Sequence, residues 1–522
     1  MNRSTQQTLS TQLVFEAWRT VGKGWRTADL WEENGKWGTS LLFLVAVLLG
    51  IGSLGGAPNE ASAQGIGIYE TGSCAMSQGG AVVATGCEDG SSVFFNPSQL
   101  SGTDGPVATV GTAVLDINGD FSYGAESSTG GPVDLQNKDA PVPHAYFSYG
   151  LSGKTSVGIG GYAPYGLGVK WPKRSENGNV FAGAFEGFDN EVQSFYIQPT
   201  VSYQITPRLS VGGGPVVAVS TIEINQFQDL SQVNLPSGGT FGDAGVPAST
   251  PFATMTLDQS GTGFGGNVGL SYKISSRLDL GLRYTSPVTV EYDGTASPQQ
   301  VESGFTVPAS SPLAQDLNGD GNADPTPAGA LVASQFGPES VLDQYEALAG
   351  QNGPLSSQNS GTEITFPMQV VAGISFQATP RLRLETDYQF TGWSSFENLP
   401  LEFENLEDQK KPLDYNDTHA LRVGAELDVI EAVSLRGGYA YTSSAVPDKG
   451  MSPFVPESTR NHYTVGVGWD ATEMVTVDVS YQRLQQNKRE GSLRPALPEA
   501  SVSQGQFNVG ANYLGIGASL HF

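Results

Sequence analysis

The sequence predicts an all-β protein, a fourteen-stranded antiparallel transmembrane β-barrel, on three observations. Apolar residues recur with period two, the connections alternate between short and long, and an exported chain ends on an aromatic residue.

Period two is plain in the segment where Leu278, Leu280, Leu282 and Tyr284 are separated by Asp279, Gly281 and Arg283. It returns in Leu382, Leu384, Tyr388 and Phe390, in Val433, Leu435, Tyr439 and Tyr441, and in Val475, Val477, Val479 and Tyr481. Successive side chains of a strand point to opposite faces, so each segment has one apolar and one polar face. Fourteen strands are placed near 106–116, 141–151, 154–164, 190–205, 207–222, 261–274, 276–292, 362–378, 380–393, 417–429, 432–443, 459–470, 473–485 and 506–522.

Between strands 2 and 3, 4 and 5, and every second pair after that, the links are turns such as Thr206-Pro207 and Thr379-Pro380. The other links are long, above all 223–260 and 294–361. A membrane barrel sorts its connections this way, short ones periplasmic and long ones extracellular, whereas a soluble sandwich has no reason to. The last strand alternates through Leu514, Ile516, Ala518 and Leu520 to Phe522, the kind of ending that barrel-assembly machinery reads.

Composition agrees. Gly 67, 10% aromatic and 15% charged residues in 522 describe strands and turns, and a mean hydropathy of -0.19 argues against a bundle of membrane helices. The net charge is -26, and residues 1–63 carry five basic and five acidic residues, so their removal leaves it unchanged. Such a field repels phosphates, which excludes a nucleic-acid partner and reads as a solvated acidic surface. The apolar run from Leu41 to Leu49, followed by Ala61-Ser62-Ala63, is a secretory signal, with cleavage expected after Ala63. Export takes Cys74 and Cys87 to an oxidising compartment, where a disulfide closing a small loop contributes about 3 kcal/mol; the alternative is a pair of buried thiols.

Residues 64–105 break the barrel pattern: they are glycine-rich and hold SSVFFNPSQLSG. This segment resembles the N-terminal hatch, or plug, of the FadL family (FadL/TodX-like), outer-membrane channels for long-chain fatty acids and hydrophobic compounds. Further resemblances follow in order: YAPYGLGVKW (Tyr162 to Trp171), FYIQPTVSYQITPRLSVGGG (Phe195 to Gly214), FTGWSSFENL (Phe390 to Leu399), and LRGGYAYTSSAVPD followed by VPESTRNHYTVGVGW. The resemblance spans the chain from 64 to 522 and implies a hatch at 64–105 inside a barrel at 106–522. It also implies an external capture groove in 223–260 and 294–361, and a side window into the bilayer at a kinked strand 3.

That strand holds Gly158, Gly160, Gly161, Tyr162, Pro164, Tyr165, Gly166 and Leu167. The glycines are expected to weaken it, and Pro164 lacks an N–H for the ladder; the plain alternative is a strand end at the membrane rim. In the hatch, Phe94 and Phe95 are candidates to line the substrate path, or else are plug core, with Asn96 and Pro97 fixing a turn. Inward-facing Arg283, Arg383 and Arg436 could hold a carboxylate head group, or pair with lumen acids such as Asp279, Glu385 and Asp387.

Outside the family pattern, Asp316, Asn318, Asp320, Asn322 and Asp324 follow the spacing of a calcium loop, with Gly321 at position 6 but Pro327 where a glutamate belongs. Weak extracellular Ca2+ binding or a solvated turn both fit. No cofactor is required.

The functional expectation is passive uptake of fatty acids or related hydrophobic molecules, with aromatic hydrocarbons by the same route or a surface adhesion barrel as alternatives. An enzyme is not expected: no G-x-S-x-G occurs, and His144, His419, His462 and His521 sit in unrelated strands.

Overall fold

Alternation becomes a wall when every strand finds a neighbour on both sides, since no backbone N–H can be left open to lipid. The computed structural model describes residues 67–522 apart from 104, 125–131, 234–238, 302, 304, 312, 315, 317–318, 328–356, 405–407 and 495–503. The expected signal peptide and its cleavage site lie outside the described residues.

Fourteen strands form a closed antiparallel barrel. They are β1 (Pro106–Tyr123), β2 (Ala140–Ser152), β3 (Thr155–Lys170), β4 (Asp189–Thr206), β5 (Leu209–Asp229), β6 (Pro251–Lys273) and β7 (Leu278–Thr285, continuing as Val288–Gln300). The second half comprises β8 (Gln358–Phe366, continuing as Gln369–Thr379), β9 (Leu382–Thr391), β10 (Thr418–Ile430), β11 (Val433–Thr442), β12 (Arg460–Thr472), β13 (Val475–Gln486) and β14 (Gln504–His521). Each pairs with the next, and β14 closes on β1 from Val107↔His521 to Tyr123↔Gly505.

The outward side chains at mid-height are apolar and exposed: Val114 and Leu514, Val479, Val465, Leu435, Val423, Ile374 and Leu282. Exposed tyrosines border this band, Tyr284, Tyr388, Tyr441, Tyr463 and Tyr481 toward the long loops, while Tyr203, Tyr272, Phe376 and Trp469 lie toward the turns. That is the lipid-facing belt with its aromatic girdles.

Several strands run well past the belt, farther than their sequence spans suggest, and there the faces exchange character. In β5, Val219 is exposed and Ser220 buried, but three residues later Ile222 and Ile224 are buried and Glu223 is exposed. In β1 the inward residues Leu115, Ile117 and Phe121 are buried while Asp116 and Asn118 face out. The barrel therefore has a polar interior at membrane level and an apolar one above it. The strands extend into both long connections, β5 to Asp229, β6 from Pro251, β7 to Gln300 and β8 from Gln358.

The polar section is filled by residues 67–105, which carry two short helices, α1 (Ser73–Ser77) and α2 (Ser92–Phe95), and a 3-10 turn at Pro97–Leu100. Cys74 and Cys87 are bonded, with Cα atoms 6.3 Å apart. The loop they close lies on two carboxylates of β9: Asp387 Oδ2 accepts from Val82 N and Val83 N at 3.0 and 3.1 Å, and Glu385 Oε1 from Ala84 N and Thr85 N at 2.7 and 3.3 Å. These acids thus hold hatch backbone rather than arginine. Cys74→Ser is expected to lower the protection of this loop against amide exchange by about 3 kcal/mol, the loop-closure value. Unchanged protection at Met76–Thr85 would show that wall contacts alone hold it.

Candidate functional site

The hatch meets the wall by close backbone approach. A Cβ on Gly212 would come 2.5 Å from the Pro97 carbonyl carbon, and one on Gly269 would overlap Asn96 Oδ1. The glycines of strand 3 serve the same end: a Cβ on Gly158 or Gly160 would press on Val93 of α2 at 2.9 and 3.0 Å. Gly158, Gly160 and Gly161 are fully paired to both neighbours, so they do not open the wall as their composition suggested.

The pairing to β2 stops one residue later. The β2–β3 ladder ends at Ala145↔Gly161, although β2 stays paired to β1 as far as Ala140↔Leu115 and β3 to β4 as far as Lys170↔Asp189. Tyr162–Lys170 therefore has no β2 partner. Between Tyr162 and Tyr165 the register on β4 shifts by one residue, around Pro164. Pro141 and Pro143 stand on the facing stretch of β2, so both sides of the seam lack ladder donors. The leading end of the hatch lies across it: Ile68 N donates to Pro164 O at 2.8 Å, and Gly67 bridges Tyr165.

Inside this seam the aromatics converge. Tyr162 lies 4.8 Å from Phe94 and 6.1 Å from Tyr196, and Tyr165 stacks on Phe366 at 4.5 Å with Trp393 edge-on at 6.2 Å. Gln369 Nε2 donates to Tyr165 Oη at 3.1 Å, and Leu167 is buried beyond it. A narrow cavity runs from Tyr165, Trp393, Phe94 and Phe95 to Arg283, Arg422 and Arg460. Asn96 and Pro97 do not line it. Asn96 Nδ2 donates to Val83 O at 2.7 Å and its Oδ1 accepts from Ser98 N at 3.2 Å, so the pair seats the hatch on the wall.

The three arginines picked from the sequence part company. Arg383 and Arg436 both pair with Glu426, at 3.0 and 2.5 Å, and Arg436 also pairs with Asp478. Arg283 alone reaches the cavity. Its Nη1 and Nη2 donate to Phe94 O and Gln369 Oε1 at 3.2 and 2.6 Å, and its plane lies 4.8 Å over the Phe94 ring. Arg422 stands beside it, donating to Gln389 Oε1 at 2.7 Å and lying 4.6 Å over Tyr69. Sequence reasoning passed over Arg422, although its setting between outward Leu421 and Val423 is that of Arg283 between Leu282 and Tyr284. Arg283 and Arg422 are 3% and 6% exposed, and neither makes an ion pair with a carboxylate among the described residues.

The sequence matches the model of the outer membrane protein transport protein family (OMPP1/FadL/TodX) over residues 56–522. The chain belongs to this family. Outer membrane protein P1 of Haemophilus influenzae is 24% identical over 86% of the chain and 90% of its own length. The long-chain fatty acid transport protein of Escherichia coli is 22% identical over 82% and 87%. A Pseudomonas aeruginosa FadL homologue superposes with a TM-score of 0.71 at 17% identity, over 88% of this chain and all of that one.

This FadL/TodX-type chain is thus a transporter barrel of the Gram-negative outer membrane, and its family is one of passive channels for hydrophobic substrates. The calcium-like loop sits apart from the cavity. Asp316 carboxylate oxygens accept from Gly319 N, Asp320 N and Gly321 N at 2.6, 3.2 and 2.8 Å, and Asp320 Oδ1 from Asn322 N at 2.8 Å. Asn318 lies outside the described residues, and among these no three acidic, His or Cys side chains converge on one point.

Proposed function

We propose that the chain takes up long-chain fatty acids, with the carboxylate held by Arg283 and Arg422 and the acyl chain lying along Tyr162, Tyr165 and Phe94 toward the β2–β3 seam. The observation that carries this reading is the pair of buried guanidinium groups without a carboxylate partner. A buried charge is costly unless paired, and a guanidinium matches a carboxylate with two parallel N–H donors. The acid whose field reaches both, Asp387, stands opposite Arg422 in the ladder but makes no ion pair with either arginine; its Oδ2 accepts from Val82 N and Val83 N. The apolar upper barrel gives a poorly soluble molecule a dry approach, and the stretch of β3 beyond Gly161, which lacks a β2 partner and is crossed by the hatch at Ile68, gives it a sideways exit into lipid.

The aromatic lining favours one second reading, uptake of monoaromatic hydrocarbons by the same path, which needs no cation. Uptake of labelled oleate and of toluene by cells lacking other transporters separates the two. The Arg283→Met, Arg422→Met double variant is expected to cut oleate uptake at least tenfold and leave toluene unchanged. Equal loss of both would make the arginines structural, and loss of neither would remove the fatty-acid reading.

A further inference from the structure

A second cavity, of about 470 Å3, opens on the wall where β13, β14 and β1 rise above the belt. Its lining includes Asp120, Asp134, Arg483, Gln485, Lys488 and Asn508. The wall is irregular here: the β13–β14 ladder ends at Gln485↔Gly510, and pairing to β14 resumes only at Arg489↔Phe507, leaving Lys488 between.

Its height is fixed by the girdle. Arg483 follows Tyr481 by two positions on the outward face, so it stands about 6–7 Å beyond the tyrosine ring of the interface. Residues at this level face the head groups of the outer leaflet. In a Gram-negative outer membrane those are phosphorylated sugars on an acylated base.

The side chains match that chemistry. Arg483 donates to Asn512 Oδ1 at 3.0 Å, and neither Arg483 nor Lys488 forms an ion pair among the described residues, although the chain carries 52 acidic side chains against 26 basic ones. Asp120 and Asp134 stand directly opposite each other in the ladder between β1 and the short strand Val133–Asp134. Like charges directly opposite each other are destabilising, and here Ser122 Oγ donates to Asp120 Oδ2 at 3.0 Å. Asn508 Nδ2 donates to Asp120 Oδ1 at 2.9 Å and orients it.

We infer that this cavity binds one phosphorylated sugar head group of the outer-leaflet glycolipid. Arg483 and Lys488 take the phosphate, and Asp120, Asp134 and Gln485 accept or donate hydrogen bonds to the sugar hydroxyls. The site is separate from the substrate path, and its proposal stands whatever that path carries.

The full-length protein is purified in mild detergent, stripped of lipid and offered purified lipopolysaccharide, the same glycolipid after phosphatase treatment, or inorganic phosphate. Bound glycolipid is counted by native mass spectrometry. Wild type is expected to retain one intact glycolipid, and R483A/K488A at least tenfold less, with unchanged heat-modifiable migration as the check of folding. Lys273→Ala, at the periplasmic girdle, is expected to retain as much as wild type. Equal retention by R483A/K488A, or by wild type given the dephosphorylated lipid, overturns the assignment. So does loss of binding with millimolar phosphate at constant ionic strength, which would make the ligand a free anion. Loss on adding chelator alone would place a bridging cation on the acid pair and overturn the direct phosphate contact.

Discussion

Gly269→Val is expected to yield a barrel that assembles normally but leaks ions because its hatch no longer seats. The added Cβ would overlap Asn96 Oδ1 and approach Pro97 Cδ at 3.0 Å. Asn96 has nowhere to retreat: its amide nitrogen is bound to Val83 O and its oxygen caps the turn at Pro97–Leu100. Overpacking costs about 1–3 kcal/mol and a lost cap about 1 kcal/mol more, and both fall on the contact that joins hatch to wall. Gly266→Val is the control, because a Cβ in that neighbouring position meets only Gly214 O, at 3.8 Å. In planar bilayers wild type and Gly266→Val should be nearly silent, and Gly269→Val should conduct at least tenfold more of the time. A silent Gly269→Val channel would mean that the Asn96 contact does not hold the hatch.

The second large effect concerns the seam. Deleting Ala163 and replacing Pro164 with valine should lower uptake of every apolar substrate by tenfold or more. The deletion removes the extra residue responsible for the register shift between Tyr162 and Tyr165, and valine restores a backbone N–H. With the hatch filling the membrane-level lumen, a sealed wall leaves no route out. The reading is distinct from that of the arginine variant, which separates substrates, because closing the seam affects all of them. Undiminished uptake in a correctly folded deletion variant would place the exit through the hatch instead.

Most of the barrel was legible because its signal is local. Each strand carries its own alternation, and the sorting of connections is visible without knowing which strands touch. The height of the wall was harder to read. Beyond Val219 the outward residues Thr221 and Glu223 are polar while the inward Ile222 and Ile224 are apolar, and following the outward apolar phase ends the strand there, although it continues to Asp229. That inversion marks the place where the outside changes from lipid to water and the inside from hatch to apolar path.

The arginines illustrate a second limit. Arg283, Arg383 and Arg422 share one local signature, an inward cation between outward apolar neighbours, and Arg436 has it on one side, at Leu435. Which of them is ion-paired depends on registration and on the hatch: Glu426 stands opposite Arg383 on one side and Arg436 on the other, Arg283 stands opposite Val371 and Gly269, and Arg422 stands opposite Asp387, whose Oδ2 accepts from hatch N–H groups. No single strand contains that information. The contacts of the strand 3 glycines were not legible for a related reason, since they are made to hatch atoms far away in sequence.

The exchange of faces along the strands has a last consequence. From Thr221 to Asp229, β5 rises on the order of 20 Å beyond the belt, at about 3.3 Å per residue and the usual tilt. The chain thus builds a greasy chimney taller than the bilayer needs. On the proposed reading, a molecule arriving from water meets an apolar lining before it reaches the lipid and need not dissolve in the hydrated, charged surface around it.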